Sequence, residues 1–224
     1  MITVRLAWLR DDPARPLAPL AARLDATAAA ELAGLRLPSR QRGHLLSRAL
    51  LRYLLATTPA LAGKAARFDR APSGRLLLAA PAGWHISVSH APERVAVLLA
   101  SVPGGIDIER PRPVRYGRVA ARYFAPAEQD WLASLSGPEA ARDFFRLWTL
   151  KEAAAKALGE GIAHNLARLA FALDGPVPVP LDPGLGLQAW QAPAGDAWLA
   201  GVVRAEGPVA WECREVALDT LLAG

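Results

Sequence analysis

One cysteine, three lysines, four histidines and no long apolar run set the first limits on this chain. Cys213 alone cannot close an internal disulfide, and the scattered histidines have no spacing suited to zinc. Arginine or proline cuts every apolar stretch before it could cross a bilayer, which argues against a membrane protein. The opening MITVRLAWLRDDPARP meets charge and proline too early for the apolar core of a signal peptide, so a soluble, cytoplasmic protein is expected. Basic runs interleaved with aromatics are also lacking, which counts against a nucleic-acid partner. What is present is apolar bulk, 52% of 224 residues, ample for one domain or two small ones. The net charge is +5, and lysine is so scarce that arginine makes up 23 of the 26 basic residues. Such a balance is met by solvated arginines or by an acidic or phosphorylated partner.

The element pattern predicts α+β architecture. ITVRLAWL alternates as a strand, and SRQRGHLLSRALLRYLLATT repeats its leucines at helical spacing. RFDRAPSGRLLLAAP reads as strand, turn at Pro72-Ser73-Gly74, and strand; WHISVSH and RVAVLLAS read as a hairpin around APE. After Pro103-Gly104-Gly105 a second cycle begins. PVRYGRVAARYFAPAEQDWLASL and PEAARDFFRLWTLKEAAAKALGEG are helical, the latter opening at Pro138 and closing near Gly159 and Gly161. LARLAFALDG, GLQAWQAP, AWLAGVVRAE and VAWECREVAL are strand candidates, the later ones an expected antiparallel meander. Two halves follow from this order, residues 1–103 and 104–224, the second carrying the more chemical motifs.

GGIDIERP, Gly104 to Pro111, places Asp107 and Glu109 on one face of a strand and Ile106 and Ile108 on the other. Alone, that does not outweigh the plain reading as the wet face of a strand, although it would also suit half of a metal site. In FFRLWTLKEAAAKALGEGI, Trp148, Glu152 and Lys156 recur at four on a helix, with Lys151 beside them. Three carboxylates on a strand and a helix suit a hard cation such as Mg²⁺, which takes oxygen ligands and shares them with phosphates. Lys151 and Lys156 would offset charge on those phosphates. Metal, acids and lysines together point to phosphoryl transfer or pyrophosphate cleavage. A metal-dependent phosphohydrolase and a non-catalytic binding module are the competing classes.

The pairing of GGIDIE with LWTLKEAAAKALGEGI resembles the signature pair of the 4′-phosphopantetheinyl transferase superfamily, G-[IV]-D-[IV]-E and W-x-x-K-E-[AS]-x-x-K. RYFAPAEQDWL resembles the family's F-x-x-x-E segment, at Phe124 and Glu128. SVSHAPERVAV resembles its S-H segment, and APSGRLLL its G-[KR]-P segment, with Leu76 where proline is usual. The likeness runs over roughly residues 40–175. It implies the Sfp-type architecture, a monomer of two similar α+β halves related by a pseudo-twofold. It also implies transfer of 4′-phosphopantetheine from the co-substrate coenzyme A to a serine of an apo carrier protein (acyl, peptidyl or aryl), with release of adenosine 3′,5′-bisphosphate. Asp107, Glu109 and Glu152 would hold Mg²⁺, and Lys151 and Lys156 would meet the phosphates. The serine's base would be Glu152, directly or through a metal-bound water, or else Glu109. Arg75, Ser89 and His90 would contact the coenzyme, joined by Arg42 and Arg48. Glu128 reads as a helix N-terminal acid or as support for the metal. His44, His85 and His164 read as structural or surface residues. Arg115, Arg118 and Arg122, at helical spacing, would dock an acidic carrier.

Overall fold

Alternation along β1, Ile2–Arg10, splits its side chains between two cores: Val4, Leu6 and Trp8 on one face, Ala7 and Leu9 on the other. In the computed structural model, which describes residues 1–160 and 166–223, β1 is followed by helices α1 (Ala18–Ala21), α2 (Ala26–Gly34) and α3 (Pro38–Thr57). The hairpin β2 (Arg67–Arg70) and β3 (Leu76–Ala80) comes next, then β4 (His85–Ala91), β5 (Arg94–Ala100) and β6 (Gly104–Glu109). Helices α4 (Tyr116–Tyr123), α5 (Pro126–Ser134) and α6 (Gly137–Leu158) follow. The short pair β7 (Phe171–Ala172) and β8 (Val179–Pro180) leads to β9 (Leu187–Ala194), β10 (Ala197–Arg204), β11 (Val209–Glu215) and α7 (Leu218–Ala223). This is the expected mixed α+β composition. Gly161, Ile162 and His164 lie outside the described residues.

Two sheets carry the molecule. The first runs β11-β1-β5-β4 and the second β6-β10-β9. Leucines of α3, among them Leu46, Leu50 and Leu54, cover one face of the first sheet against Val95, Val97 and Leu99. Helix α6 covers one face of the second, against Ala200 and Val202. The remaining faces meet each other: Val4, Leu6, Ala96 and Leu98 pack on Ile106, Ile108, Leu199 and Val203. Helix, sheet, sheet and helix thus stack in four layers. Between the sheets, Ile106 N–H donates to Ser87 Oγ at 3.2 Å and Ile108 N–H to Ser89 Oγ at 3.4 Å. Those amides lie on the edge of the second sheet that, among the described residues, has no ladder partner, and β4 lies against it through its serines.

One expectation needs correcting. The later strands do not form a simple meander: β9 and β10 are antiparallel, but β11 leaves them and pairs parallel with β1, Val4 opposite Trp211. The free edge of β10 is already taken by β6. Val209, Trp211 and Cys213 are instead drawn to the core between the sheets. The segment PVRYGRVAARYFAPAEQDWLASL is helical as expected and divides into α4 and α5. Helix α4 stops at Phe124, whose backbone is extended, and Pro126 opens α5 where its missing N–H costs nothing.

Candidate active site

Gly105 sets the geometry. A Cβ there would lie 2.1 Å from Ala153 O and 2.6 Å from Ala157 N, so only glycine lets α6 approach β6 this closely. With the backbones in contact, the strand face opposite Ile106 and Ile108 turns onto the helix face bearing Glu152 and Lys156. Asp107 is buried, 2% exposed. Its Oδ1 accepts from Lys156 Nζ at 2.8 Å and from Ser89 Oγ at 2.6 Å. Its Oδ2 is buried with no partner. Lys156 also donates to Ile106 O at 2.9 Å, so two of its three N–H groups are engaged.

Burial raises the Glu152 carboxyl to about 7, and the charges of Asp107 and Glu109 add to the rise while Lys156 opposes it. Glu109 is raised as well, first by burial; its bond to Arg112 opposes that rise and the charge of Asp107 adds to it. Asp107, Glu109 and Glu152 are therefore near enough to repel, as the sequence suggested. They are not drawn into a closed ligand set, however. Among the described residues no three His, Cys, Asp or Glu side chains are grouped to hold an ion. Glu109 is turned to Arg112 Nη1, and Asp107 Oδ1 is spent on Lys156 and Ser89. Even so, a hard oxygen-seeking cation suits this place. All three donors are carboxylates, two are destabilised as anions, and the orphaned Asp107 Oδ2 lacks the partner a buried oxygen requires.

Lys156 also lines a cleft of about 1190 Å³, together with Arg42, Arg48, Arg75 and His90. Arg40, Arg70 and Arg94 bring its lining to seven cationic side chains, against the carboxylates Asp11, Glu93 and Glu160, so the cleft favours an anion. Arg75 reaches from the β2–β3 turn to Gly104 O at 3.3 Å, and burial lowers its pKa. His90 Nε2 donates to Gly43 O at 3.1 Å; crowding by protein lowers its pKa, and the charge of Lys156 adds to this.

The remaining expected residues have other tasks. Lys151, expected to meet phosphates, does not line the cleft: it is fully buried and its three donors meet Glu128 Oε2 (2.6 Å), Leu166 O (2.9 Å) and Leu169 O (3.0 Å). Glu128 caps α5, accepting from Ala125 N at 2.9 Å, and takes Phe171 N–H at 3.0 Å. It thus holds α5, α6 and β7 together and is committed to Lys151. Ser89 is buried and positions Asp107 instead of facing the cleft. Arg42 lies on the cleft wall, but Asp11 grips it at 2.6 and 2.8 Å and it also donates to Asp12 O and Arg15 O. Arg48 is buried, bonds Glu31 at 2.6 Å, and leaves Nη1 without a partner. Asp11, Glu31 and Ser87 were missed by sequence reasoning. Only Ser87 carried a local signal, alternating with Ser89 on one strand face.

Comparison with known proteins supplies independent findings. A family model described as the 4′-phosphopantetheinyl transferase superfamily matches residues 103–189. The chain is 32% identical over 159 residues to the 4′-phosphopantetheinyl transferase HetI of a Nostoc species, covering 68% of this chain and 67% of HetI. Against the 4′-phosphopantetheinyl transferase psf-1 of Bacillus pumilus it is 30% identical over 126 residues, 56% of this chain and 54% of psf-1. Against the 4′-phosphopantetheinyl transferase Sfp of Bacillus subtilis it is 29% identical over 139 residues, 61% and 62% of the two chains. The matched stretches thus span between about half and two thirds of these relatives.

Proposed function

This chain belongs to the 4′-phosphopantetheinyl transferase superfamily, and on that footing we propose that it transfers 4′-phosphopantetheine from coenzyme A to a serine of an apo carrier protein, releasing adenosine 3′,5′-bisphosphate. The observation that carries this reading is Lys156, which touches Asp107 on one side and lines the cationic cleft on the other. A phosphate-rich cofactor in the cleft would present its pyrophosphate at the carboxylates.

Arg48, Arg75 and His90 bind and orient the coenzyme. Asp107, Glu109 and Glu152 would hold Mg²⁺, which when bound would neutralise charge on the pyrophosphate. Glu152 accepts the proton of the carrier serine: among the described residues it forms no ion pair, whereas Glu109 is tied to Arg112. The serine oxygen forms its bond to the β-phosphorus as the bridging P–O bond breaks, and the leaving oxygen departs on adenosine 3′,5′-bisphosphate. The third N–H of Lys156 meets the negative charge developing there, in the transition state rather than the ground state. Ser89 keeps Asp107 in register throughout.

The carrier would approach over α4, where Arg115 at its N-terminal boundary and Arg118 and Arg122 along it are all exposed. An acidic partner is supported by the net charge of +5, which would raise the encounter rate more than the final affinity. We place the reaction in the cytoplasm and on a monomer. Incubation with coenzyme A, Mg²⁺ and a panel of acyl and peptidyl apo carriers, read by intact mass, is expected to add one phosphopantetheine group to at least one carrier. Asp107→Asn should slow that gain by roughly 100-fold or more. No gain on any carrier would overturn the proposal, and nucleotide release without a carrier would favour hydrolysis.

A further inference from the structure

Among the described residues the hairpin β2–β3 pairs with no other strand, yet it flanks the cleft: Arg70, Ser73, Gly74 and Arg75 all line it. Phe68 and Leu78 root it in the core with the leucines of α3, and polar ties fix the part that lines the cleft. On the far side its only described tie from a charged side chain is Arg75 to Gly104 O. On the near side the tie is Glu31, on α2, which is not a cleft residue and belongs to none of the motifs. Glu31 Oε1 accepts from Arg70 Nε at 2.5 Å, and Oε2 from Arg70 Nη2 at 3.1 Å and Arg48 Nη2 at 2.6 Å. His44 Nδ1 stands 3.9 Å away. Arg70 in turn donates to Gly74 O at 2.7 Å, closing the hairpin turn, while the Arg48 guanidinium lies 4.8 Å over the Phe68 ring of the same hairpin.

We propose that Glu31 is a positioning residue for the coenzyme, gathering Arg48 from α3 and Arg70 from β2 so that the hairpin closes over the cleft with its arginines aimed inward. This rests on the reading of the cleft as the coenzyme site. Two features support it. One carboxylate takes both guanidiniums, which would otherwise repel each other across the α3–β2 seam. Arg48 is also left with a buried, unpartnered Nη1, a donor that Glu31 holds in place without satisfying. Burial alone would raise the Glu31 carboxyl, but bonds from Arg70 and Arg48 hold it down at about 2, so the clamp stays charged throughout the neutral range.

Positioning and simple field effects predict opposite signs. Glu31→Gln removes a negative charge beside an anion site, so the field alone would tighten coenzyme binding. Loss of positioning weakens it, because a neutral amide cannot hold two guanidiniums together. Coenzyme A titrated into the full chain by calorimetry should therefore bind roughly tenfold more weakly to Glu31→Gln. Glu31→Asp keeps the charge but is too short to span both arginines, and should also weaken binding, where the field predicts no change. In transfer assays KM for coenzyme A should rise with kcat little altered, a split that general unfolding would not produce. Melting curves fix a temperature at which each variant is folded. Unchanged or tighter binding by either folded variant overturns the proposal, while failure of the unsubstituted protein to bind coenzyme A overturns the reading of the cleft and the proposal with it.

Discussion

Lys151 and Lys156 lie five residues apart on α6, about 140° round the helix, and cannot serve one face. Lys156 shares the face of Glu152, four residues before it, and reaches the site. Lys151 turns inward to Glu128. The motif alone treats both as phosphate ligands; the helical wheel already separates them. Removing one partner of a buried pair leaves the other charge unpaired, so Lys151→Met should cost about 3–5 kcal/mol in denaturant unfolding. Its coenzyme affinity should be unchanged wherever the protein remains folded. Lys156→Met is expected to reverse the pattern, weakening coenzyme binding and slowing transfer by roughly 100-fold. Weakened affinity in a folded Lys151→Met protein would return Lys151 to the ligand set. Asp107, Glu109 and Glu152 were readable because strand alternation and the helical repeat act locally. Asp11 and Glu31 were not, since they meet Arg42 and Arg48 only through tertiary packing.

At the scale of elements, the union of β6 and α6 decides whether the acids and Lys156 meet at all. Most of that union was legible: both elements follow the expected bounds, with Pro138 in the first turn of α6 and Gly159 at φ +74° ending it. The requirement for glycine at 105 was not, because it depends on which backbone crosses there. Gly105→Ala would force strand and helix apart, at a cost of about 1–3 kcal/mol or more. It should also lengthen the Lys156–Asp107 contact, so transfer is expected to fall by a larger factor than the melting temperature suggests. Gly117 is the control: a methyl there meets nothing within 4 Å, and Gly117→Ala in helix α4 should be neutral or stabilising by about 0.5–1 kcal/mol. Equal effects from the two substitutions would show that close approach at Gly105 does not matter. The split between α4 and α5 could have been anticipated from Pro126, whereas the departure of β11 to β1 could not. Its alternating Trp211 and Cys213 fit either sheet equally well by pattern.

Across the whole molecule, layering puts Glu109 and Glu152 where burial works against their charge, beside the seam between the second sheet and α6. In the metal-free protein Glu152 holds its proton to about 7, against 4.5 for the ordinary group. Between those values the folded state binds more protons than the unfolded one, so stability falls as pH rises. The contribution is fully present below the unfolded value and lost as pH passes the folded one, and it amounts to a few kcal/mol at most. Glu109 shifts in the same direction and adds to the slope. Glu31, held at about 2 when folded, opposes that slope only near the lower end of the range, where the unfolded carboxyl still binds protons. Melting temperature measured in chelator should therefore carry a drop between about pH 5 and 7.5 from these acids, set against the opposite slope from His44, His85 and His90, whose burial lowers their pKa. Glu152→Gln, which cannot ionise, should flatten much of that drop. Mg²⁺ should raise the melting temperature most at the upper end of the range, because an ion that binds only the folded state stabilises it and favours the ionised acids. A slope unchanged by Glu152→Gln, or a Mg²⁺ effect equal at both ends, would mean that the repulsion is relieved by groups other than a shared cation.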